Sequence, residues 1–282
     1  MKITIGMACY NDFSGVYFSV QALRMFQDMK DCEVLIIDNY GSDRLRDFWE
    51  YWGKEKTGKK NEQGEEEEKR VVRYIKFTDV VGTTVPRQLV FERAYGEFVL
   101  CIDSHVMLFP GAIKKLKEWL DEGVDTDALI HGPMSYDSLD VFSTHMNPVW
   151  RSDMWGTWSD TVRAEEIPGK PFEIPAHGMG LFGSRKDTWL NFNDKFTGFG
   201  GEECYIHEKY RQTGRKILCL PFLKWVHRFS DKGDIKYPLD VKDRIRNYII
   251  GFQELGLDLT PVKEHFGSRL FDLVYEKVRN ES

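Results

Sequence analysis

The sequence lacks long apolar runs and any excess of basic residues. No stretch reaches the ~18 consecutive apolar residues that a membrane-spanning helix requires, and residues 1–6 enter a strand pattern without the apolar core of a signal peptide. Lys and Arg number 39 against 45 Asp and Glu, which gives a formal net charge of −6. This balance disfavours a protein that holds nucleic acid across its whole surface, although it is compatible with a local basic groove. We expect no membrane insertion and a cytoplasmic location (the host cytoplasm if the source is a virus).

Cysteine is also scarce, which argues against a disulfide framework. The five cysteines are Cys9, Cys32, Cys101, Cys204 and Cys219. Their number is odd, and no pair has the spacing of a metal-binding motif. We expect all five to be reduced and most of them to be buried.

The full sequence of 282 residues is 41% hydrophobic, which is enough for a core. In its first half, strand and helix patterns alternate regularly. Apolar runs typical of buried strands occur at residues 3–8, 34–37, 71–77 and 99–102. Amphipathic helix patterns follow them at residues 16–29, 44–52 and 87–95, and from residue 112. This order predicts an α/β fold with a mostly parallel, Rossmann-like central sheet flanked by helices.

Three segments depart from this alternation. Residues 52–70 are highly charged and low in complexity, which predicts a mobile charged loop. Residues 135–173 are long and irregular but contain three Trp, so they form either an acceptor-binding lid or a loop that packs its aromatic side chains on the domain. Residues 230–282 carry helical apolar stripes and predict a small C-terminal helical extension to a domain formed by residues 1–229.

Polar side chains follow the predicted strands near Asn11, Asp38 and Asp103. In an open α/β sheet, ligands bind beyond the carboxyl ends of the strands. Asp103 and His105 are two positions apart, so on an extended chain they point to the same side and one cation can contact both. A strand followed by an ordinary polar turn gives the same local pattern.

Glycine and acidic residues mark a second group in the C-terminal half. Gly178 and Gly180 would let the backbone approach a ligand closely. Glu202 and Glu203 follow two glycines at the start of a helix pattern, where carboxylates also serve as simple caps. His227 lies in a later strand pattern, and a lone histidine is most often structural.

The order and spacing of these segments resemble the GT-A fold glycosyltransferases, and most closely the large, family 2-like group of nucleotide-sugar transferases. The resemblance covers residues 3–229, and its landmarks are residues 9–12, 37–39, 82–87, 97–105 and 200–203, and His227. It implies a GT-A fold and the transfer of a sugar from a nucleotide sugar, here a UDP-sugar, to a hydroxyl acceptor.

The same resemblance implies a nucleotide-binding set that consists of Ala8, Tyr10, Asn11, Asp38, Arg87, Asp103 and Ser104. Asp38 matches the acid that binds uracil, and Asn39 stands where many relatives have a second acid. Arg87 falls near a residue that steadies the donor, but the segment Pro86-Arg87-Gln88 departs from the usual Ala-Arg-Asn.

A metal site is implied by the segment Asp103-Ser104-His105, which matches the Asp-x-Asp motif in an Asp-x-His form similar to that of polypeptide N-acetylgalactosaminyltransferases. His227 looks like the third metal ligand of those enzymes. Such a mixed oxygen and nitrogen site suits Mn²⁺ or Mg²⁺. A divalent cation that bridges both phosphates stabilises the nucleoside diphosphate leaving group.

The catalytic residues implied by the resemblance are Glu203 and Glu202. A carboxylate can remove the proton of the acceptor hydroxyl as it attacks, and Glu203 matches the family's second acid, so it is the candidate base of an inverting enzyme. Glu202 would then hold hydroxyl groups of the acceptor or the donor sugar. A retaining enzyme, such as the similar Asp-x-His transferases, requires no dedicated base, and the sequence leaves both schemes open.

The acceptor-binding residues that we expect are Trp150, Trp155, Trp158, Gly178 and Gly180. Aromatic rings stack on sugars, peptides or exposed nucleobases. The acceptor therefore stays open between a glycan, a protein and a hydroxymethylated DNA base.

Two other functions are compatible with a fold of this kind. A nucleotidyltransferase that makes nucleotide sugars needs an early glycine-rich loop with a following Arg and Lys to hold a triphosphate, and the sequence lacks one. A non-catalytic sugar- or nucleotide-binding domain would have a decayed site, whereas the metal, nucleotide and base positions are all filled here.

Overall fold

The computed structural model describes residues 2–61, 63–228 and 237–281. The strands are β1 (Ile3–Cys9), β2 (Cys32–Asp38), β3 (Lys54–Lys60), β4 (Glu66–Arg70), β5 (Val72–Lys76), β6 (Phe98–Asp103), β7 (Val106–Leu108), β8 (Leu129–His131), β9 (Met134–Ser135), β10 (Val141–Ser143), β11 (Met146–Arg151), β12 (Met154–Trp158), β13 (Val162–Arg163), β14 (Phe172–Glu173), β15 (Leu181–Arg185), β16 (Ile217–Cys219) and β17 (Trp225–His227). The helices are α1 (Phe13–Phe26), α2 (Asp43–Trp52), α3 (Thr84–Arg93), α4 (Ala112–Glu122), α5 (Glu203–Gln212), α6 (Val241–Glu254), α7 (Thr260–Phe266) and α8 (Ser268–Glu281).

A central sheet with the strand order β14-β16-β8-β15-β6-β1-β2-β5 organises the fold. Neighbouring strands are parallel in the pairs β1–β2, β1–β6, β2–β5 and β8–β16. Strands β15 and β14 run antiparallel to their neighbours. The predicted α/β fold with a mostly parallel sheet between helices is therefore confirmed.

Alternate side chains of each central strand enter the two cores on opposite faces of the sheet, because successive residues of a strand point in opposite directions. In β2, Val34 and Ile36 pack with residues of α1, α2 and α4, whereas Leu35 and Ile37 pack with residues of α3, α5 and α6. All seven residues of β2 are buried. A continuous apolar run is what a parallel strand covered on both faces requires.

A second sheet, in the order β13-β10-β9-β17-β7, brings distant parts of the chain together. Its strand β17 runs antiparallel to β7, with His227 opposite Val106. The backbone N–H of Arg228 also donates to the carbonyl of His105 at 3.3 Å. This pairing places the late histidine beside the end of β6.

The prediction of a loop over residues 52–70 was wrong, because β3 and β4 form an antiparallel hairpin there. Lysines on β3 face glutamates on β4, with Lys56 at 2.9 Å from Glu66 and Lys54 at 3.4 Å from Glu68. The side chain of Asn61 accepts a hydrogen bond from the backbone N–H of Glu65 at the turn. Complementary cross-strand charges and this turn hold a hairpin in which all residues of both strands are exposed.

Residues 135–173 are also more regular than expected, because they contain the short strands from β9 to β14. The hairpin of β11 and β12 packs its tryptophans on the C-terminal helices: Trp150 contacts the rings of Tyr248 and Phe266, and Trp155 contacts Phe252. The positions of Trp150 and Trp155 agree with the interpretation that this segment packs its aromatic side chains on the domain. A lid function of the segment stays a prediction.

The C-terminal helices α6 to α8 share a core with the main sheet. Buried side chains of these helices, such as Ile249 and Val274, belong to the same apolar cluster as Phe182 of β15 and Tyr205 of α5. The predicted boundary between residues 229 and 230 lies outside the described residues. The extension is helical as expected and covers one face of the sheet.

The cysteines agree with the expectation of reduced thiols, since each of the five is buried and unpaired. Burial is the first cause that raises the pKa of each of these thiols, for example that of Cys101 to about 12. Among the helices of the described part of the chain, none has the length and apolar composition that crossing a membrane requires.

Candidate active site

A cavity of about 160 Å³ opens at the carboxyl ends of β1 and β6. Its lining residues are Ala8, Cys9, Tyr10, Asn39, Gly82, Thr83, Pro86, Arg87, Asp103, Ser104, His105, Phe199 and Tyr237. Ligands of open α/β sheets bind at this edge, outside the carboxyl ends of the strands. The cavity is therefore the candidate donor site.

Three potential metal ligands lie together at one side of this cavity. Ligand atoms of Asp103, His105 and His227 all lie within 4.8 Å of one another. The Nε2 atoms of His105 and His227 are 3.2 Å apart, and Nε2 of His227 is 3.8 Å from Oδ2 of Asp103. Burial by itself raises the pKa of Asp103, but the charge of Arg87 and the hydrogen bond with His227 hold that pKa below its usual value. Asp103 is therefore ionised at neutral pH.

The separations in this cluster fit a single divalent cation. Ligands at adjacent corners of an octahedron with bonds of about 2.1 Å lie about 3 Å apart. One carboxylate and two imidazoles form a mixed donor set that Mn²⁺ accepts readily. The three residues that the sequence predicted as ligands can thus hold one ion without a large rearrangement.

Arg87 connects the cluster to the start of α5. Its guanidinium is buried and donates to Oδ1 of Asp103 at 2.8 Å and to Oε1 of Glu202 at 2.7 Å. A single buried cation thus compensates two carboxylates, which need such a partner because an unpaired buried charge is costly. Arg87 lines the cavity, and its terminal nitrogens are engaged with protein carboxylates.

Glu203 begins α5 beside this network. Burial, and after it the charge of Glu202, raises the pKa of its carboxyl group. Its Oε2 atom is buried and has no hydrogen-bond partner among the described residues. Titratable groups with shifted pKa values are frequent at functional sites, so Glu203 remains a candidate for proton transfer.

Most of the predicted nucleotide-binding residues reach the cavity, but Asn11 and Asp38 do not line it. Asn11 is exposed and adopts a left-handed backbone conformation with φ of 51°. Ala8, Tyr10 and Ser104 lie in the cavity wall.

The carboxylate of Asp38 is engaged in hydrogen bonds within the protein. It is fully buried and accepts hydrogen bonds from the backbone N–H groups of Tyr40, Gly41 and Ser42 and from the hydroxyl of Tyr74. The structure therefore assigns it to the turn after β2. The neighbouring Asn39 lines the cavity instead, and its amide accepts a hydrogen bond from the N–H of Gly82 at 3.1 Å.

The predicted acceptor-binding residues separate into two groups. Trp150 and Trp155 pack on α6 and α7, as described above. Trp158 lies over Gly178, where an added Cβ would come within 2.7 Å of the indole. At Gly180 an added Cβ would meet the ring of Trp225 at 2.9 Å. These glycines therefore make room for indole rings, and Gly180 lies beside the metal cluster, since its added Cβ would come within 3.2 Å of the ring of His227.

Several cavity residues were missed by the sequence analysis, among them Phe199 and Tyr237. With the predicted Tyr10 they form an aromatic wall, in which the ring centroid of Tyr237 lies 4.8 Å from that of Tyr10 and 5.6 Å from that of Phe199. Asn39 was noticed but was not assigned to the site. Tyr237 precedes α6 and has no local motif that could have marked it.

Comparisons with known proteins agree with this geometry. The sequence matches the model of glycosyl transferase family 2 over residues 4–187. No curated protein sequence matches the chain significantly. Among solved structures, GalNAc-T7 with UDP, GalNAc and Mn²⁺ is similar with a TM-score of 0.66 at 15% identity, over 90% of this chain and 50% of that chain. Residues 1–349 of S. aureus TarS with UDP-GlcNAc give a TM-score of 0.56 at 15% identity, over 94% of this chain and 70% of that one.

The two kinds of comparison carry different weight. Structural similarity at 15% identity concerns the GT-A fold alone, and the chain spans about half the length of the GalNAc-T7 chain. The family match includes Asp103 and His105, whereas Glu203 and His227 lie beyond its end. Because the match extends over more than half of the sequence, the chain belongs to glycosyl transferase family 2.

Proposed function

We propose that the protein is a metal-dependent glycosyltransferase that moves a sugar from a UDP-sugar to a hydroxyl acceptor. The observation that supports this most directly is the cluster of Asp103, His105 and His227 at the edge of the cavity beyond β1 and β6. GalNAc-T7 was solved with UDP and Mn²⁺, and TarS with UDP-GlcNAc. The family match and these neighbours favour a nucleotide sugar as the donor.

Different residues of the cavity would bind different parts of the donor. Asp103, His105 and His227 would hold Mn²⁺ or Mg²⁺, which when bound neutralises charge that develops on the departing diphosphate. The aromatic wall of Tyr10, Phe199 and Tyr237 offers flat apolar surfaces for the nucleoside. Arg87 keeps Asp103 ionised and oriented.

Glu203 would act on the acceptor side. Its raised pKa lets it take up a proton from an acceptor hydroxyl near neutral pH. This role requires an inverting reaction, because a retaining reaction needs no dedicated base. The identity of Glu203 as the base is thus tied to the stereochemistry of the product.

The function is tested by the metal dependence of UDP binding. We expect UDP to bind more tightly with Mn²⁺ than without it, and the protein to hydrolyse one member of a panel of UDP-sugars slowly. His227→Ala should remove the Mn²⁺-dependent part of UDP binding and leave the metal-free part unchanged. Isothermal titration calorimetry with and without Mn²⁺ measures both quantities.

His265→Ala is the matched control, because His265 is also partly buried but lies on α7, outside the metal cluster. It should leave UDP binding unchanged in both conditions. An equal loss of UDP binding with and without Mn²⁺ in His227→Ala would show a structural role for His227. No binding of UDP–Mn²⁺ and no hydrolysis of any UDP-sugar by the wild-type protein would contradict the proposed function.

A further inference from the structure

Asp12 joins the segments that carry the two histidines of the metal cluster. Its buried carboxylate accepts a hydrogen bond from the N–H of Gly15 at 2.9 Å and caps α1. It also accepts one from the hydroxyl of Ser104 at 2.7 Å. Nδ1 of His105 lies at 3.3 Å and a guanidinium nitrogen of Arg228 at 3.4 Å from its oxygens. One carboxylate thus contacts both the Asp-x-His segment and the residue after His227.

The contact with Asp12 determines which nitrogen of His105 carries the proton. An ionised carboxylate can only accept hydrogen bonds, so Nδ1 of His105 must be the donor. In neutral imidazole the other nitrogen then has a free lone pair. That nitrogen, Nε2, faces Nε2 of His227 at 3.2 Å, inside the metal cluster.

Asp12 also limits the movement of both histidine-bearing segments. Ser104 is held from two sides, since its hydroxyl donates to Asp12 and its carbonyl accepts from the hydroxyl of Ser19 on α1 at 2.8 Å. Arg228 pairs through its backbone N–H with the carbonyl of His105. The start of α1 therefore anchors the end of β6 and the end of β17 together.

We propose that Asp12 is a positioning residue of the cation site, which fixes the Nδ1–H tautomer of His105 and aligns it with His227. The inference rests on the proposed function, because it requires that the cluster binds a divalent cation. Carboxylates that accept the second N–H of a metal-ligating histidine orient the ring and raise its basicity. Removal of such a partner lowers metal affinity about 10- to 100-fold.

Asp12→Ser separates this role from helix capping. Ser caps a helix about as well as Asp, but its side chain is too short to reach His105. We expect the affinity of the UDP complex for Mn²⁺ to fall about 10- to 100-fold, with metal-free UDP affinity unchanged. In the metal-free protein, ¹⁵N NMR of the histidine rings should show His105 as a single Nδ1–H tautomer in the wild type and as a mixture in the variant.

Two further variants complete the test. Asp12→Asn retains the size of the side chain and should also weaken Mn²⁺ binding. It serves as the test variant if Asp12→Ser folds poorly. Asp240→Ser makes the same change at the N-cap of α6 and should leave Mn²⁺ affinity unchanged.

The outcomes distinguish the two proposals. A wild-type protein that binds no Mn²⁺ in the presence of UDP would contradict the proposed function. A wild-type protein that binds Mn²⁺, with both Asp12 variants binding it equally well, would overturn the role of Asp12 alone. A loss of UDP affinity that is the same with and without Mn²⁺ would also overturn it and assign Asp12 to the fold.

Discussion

At the scale of single residues, the site depends on the unequal compensation of three carboxylates, those of Asp103, Glu202 and Glu203. Arg87 donates to Asp103 and Glu202, and it has no hydrogen bond to Glu203 among the described contacts. Burial and the neighbouring charge of Glu202 therefore raise the pKa of Glu203. The pKa values of Asp103 and Glu203 are thus shifted in opposite directions, as groups that divide acid–base roles require.

Glu203→Gln tests this difference. The amide has the shape of the carboxyl group but cannot accept the acceptor's proton, so we expect turnover to fall by at least about 100-fold. The affinity for UDP–Mn²⁺ should stay within about twofold, because Glu203 is not a metal ligand. Wild-type turnover should rise with pH through the raised pKa of Glu203, since a base works in its deprotonated form, and the variant should lose this rise.

Glu208→Gln provides the control, because it makes the same change on the same helix, where Glu208 pairs with Arg211. Its turnover should equal that of the wild type. If Glu203→Gln turns over as fast as the wild type, Glu203 is not the base. We then expect the product to keep the anomeric configuration of the donor sugar. NMR of the anomeric proton of the product determines the stereochemistry.

At the scale of elements, the hairpin of β3 and β4 is an addition to the sheet rather than a part of it. Its two ends are adjacent, since the N–H of Val71 donates to the carbonyl of Gly53 at 2.9 Å. None of the hairpin residues that the structure describes lines the cavity. Exposed ion pairs such as those of the hairpin contribute at most about 1 kcal/mol each.

Replacement of residues 54–70 by Gly-Ser-Gly should therefore leave the rest of the fold intact. The deletion removes three partly exposed ion pairs, one of which joins Glu55 to Arg24 on α1. We expect the free energy of unfolding to fall by no more than about 3 kcal/mol and the affinity for UDP–Mn²⁺ to be unchanged. Urea denaturation and calorimetry measure the two quantities. A variant that folds but has lost UDP binding would show that the hairpin acts on the donor site.

The hairpin also shows where the sequence was insufficient. Its charge and low complexity are typical of disorder, and the prediction did not consider that Lys-rich and Glu-rich halves pair across an antiparallel turn. By contrast, the parallel strands were predictable because the buried middle of a strand such as β2, from Val34 to Ile37, is a continuous apolar run. Composition therefore described buried elements better than exposed ones.

The candidate site was predictable to the extent that its residues follow strands. Asp103 and His105 could be placed because the carboxyl ends of parallel strands share one edge. Asp38 could not be excluded in advance, because one of its donors, Tyr74, comes from a different strand. The packing of His227 against β7 likewise depends on a long-range pairing, and only the family resemblance marked it.

At the scale of the whole molecule, three buried histidines connect the sheet to α5. His131, His177 and His207 are fully buried, and the ring centroids of His177 and His207 lie 4.8 and 4.9 Å from that of His131. Burial is the main cause that lowers their pKa values, to about 4 for His177, to about 3 for His207 and well below 6.5 for His131. The folded protein thus holds them neutral in conditions where the unfolded chain protonates them.

The stability of the whole fold should consequently decrease as the pH falls from 7 towards 5. Below the unfolded value of about 6.5, each of these histidines takes up a proton only on unfolding, which lowers the free energy of unfolding by up to about 1.4 kcal/mol per pH unit. Glu203 offsets the effect of one of these three histidines. Its pKa is higher in the folded protein than the value of 4.5 in the unfolded chain, so between these two pKa values the folded state binds one proton that the unfolded state does not.

From the trio and Glu203 alone, the net uptake of up to two protons contributes a slope of about 2.7 kcal/mol per pH unit near pH 5, and the lowered pKa of His145 acts in the same direction. Urea denaturation at a series of pH values measures the slope. His177→Gln should reduce that slope by about half, because it removes one of the two uncompensated protons. The control His265→Gln makes the same change at a histidine of α7 that lies outside the trio. A stability that is constant or rises between pH 7 and pH 5 would mean that the folded protein binds a proton within the trio, where the Nε2 atoms of His131 and His207 lie 2.9 Å apart.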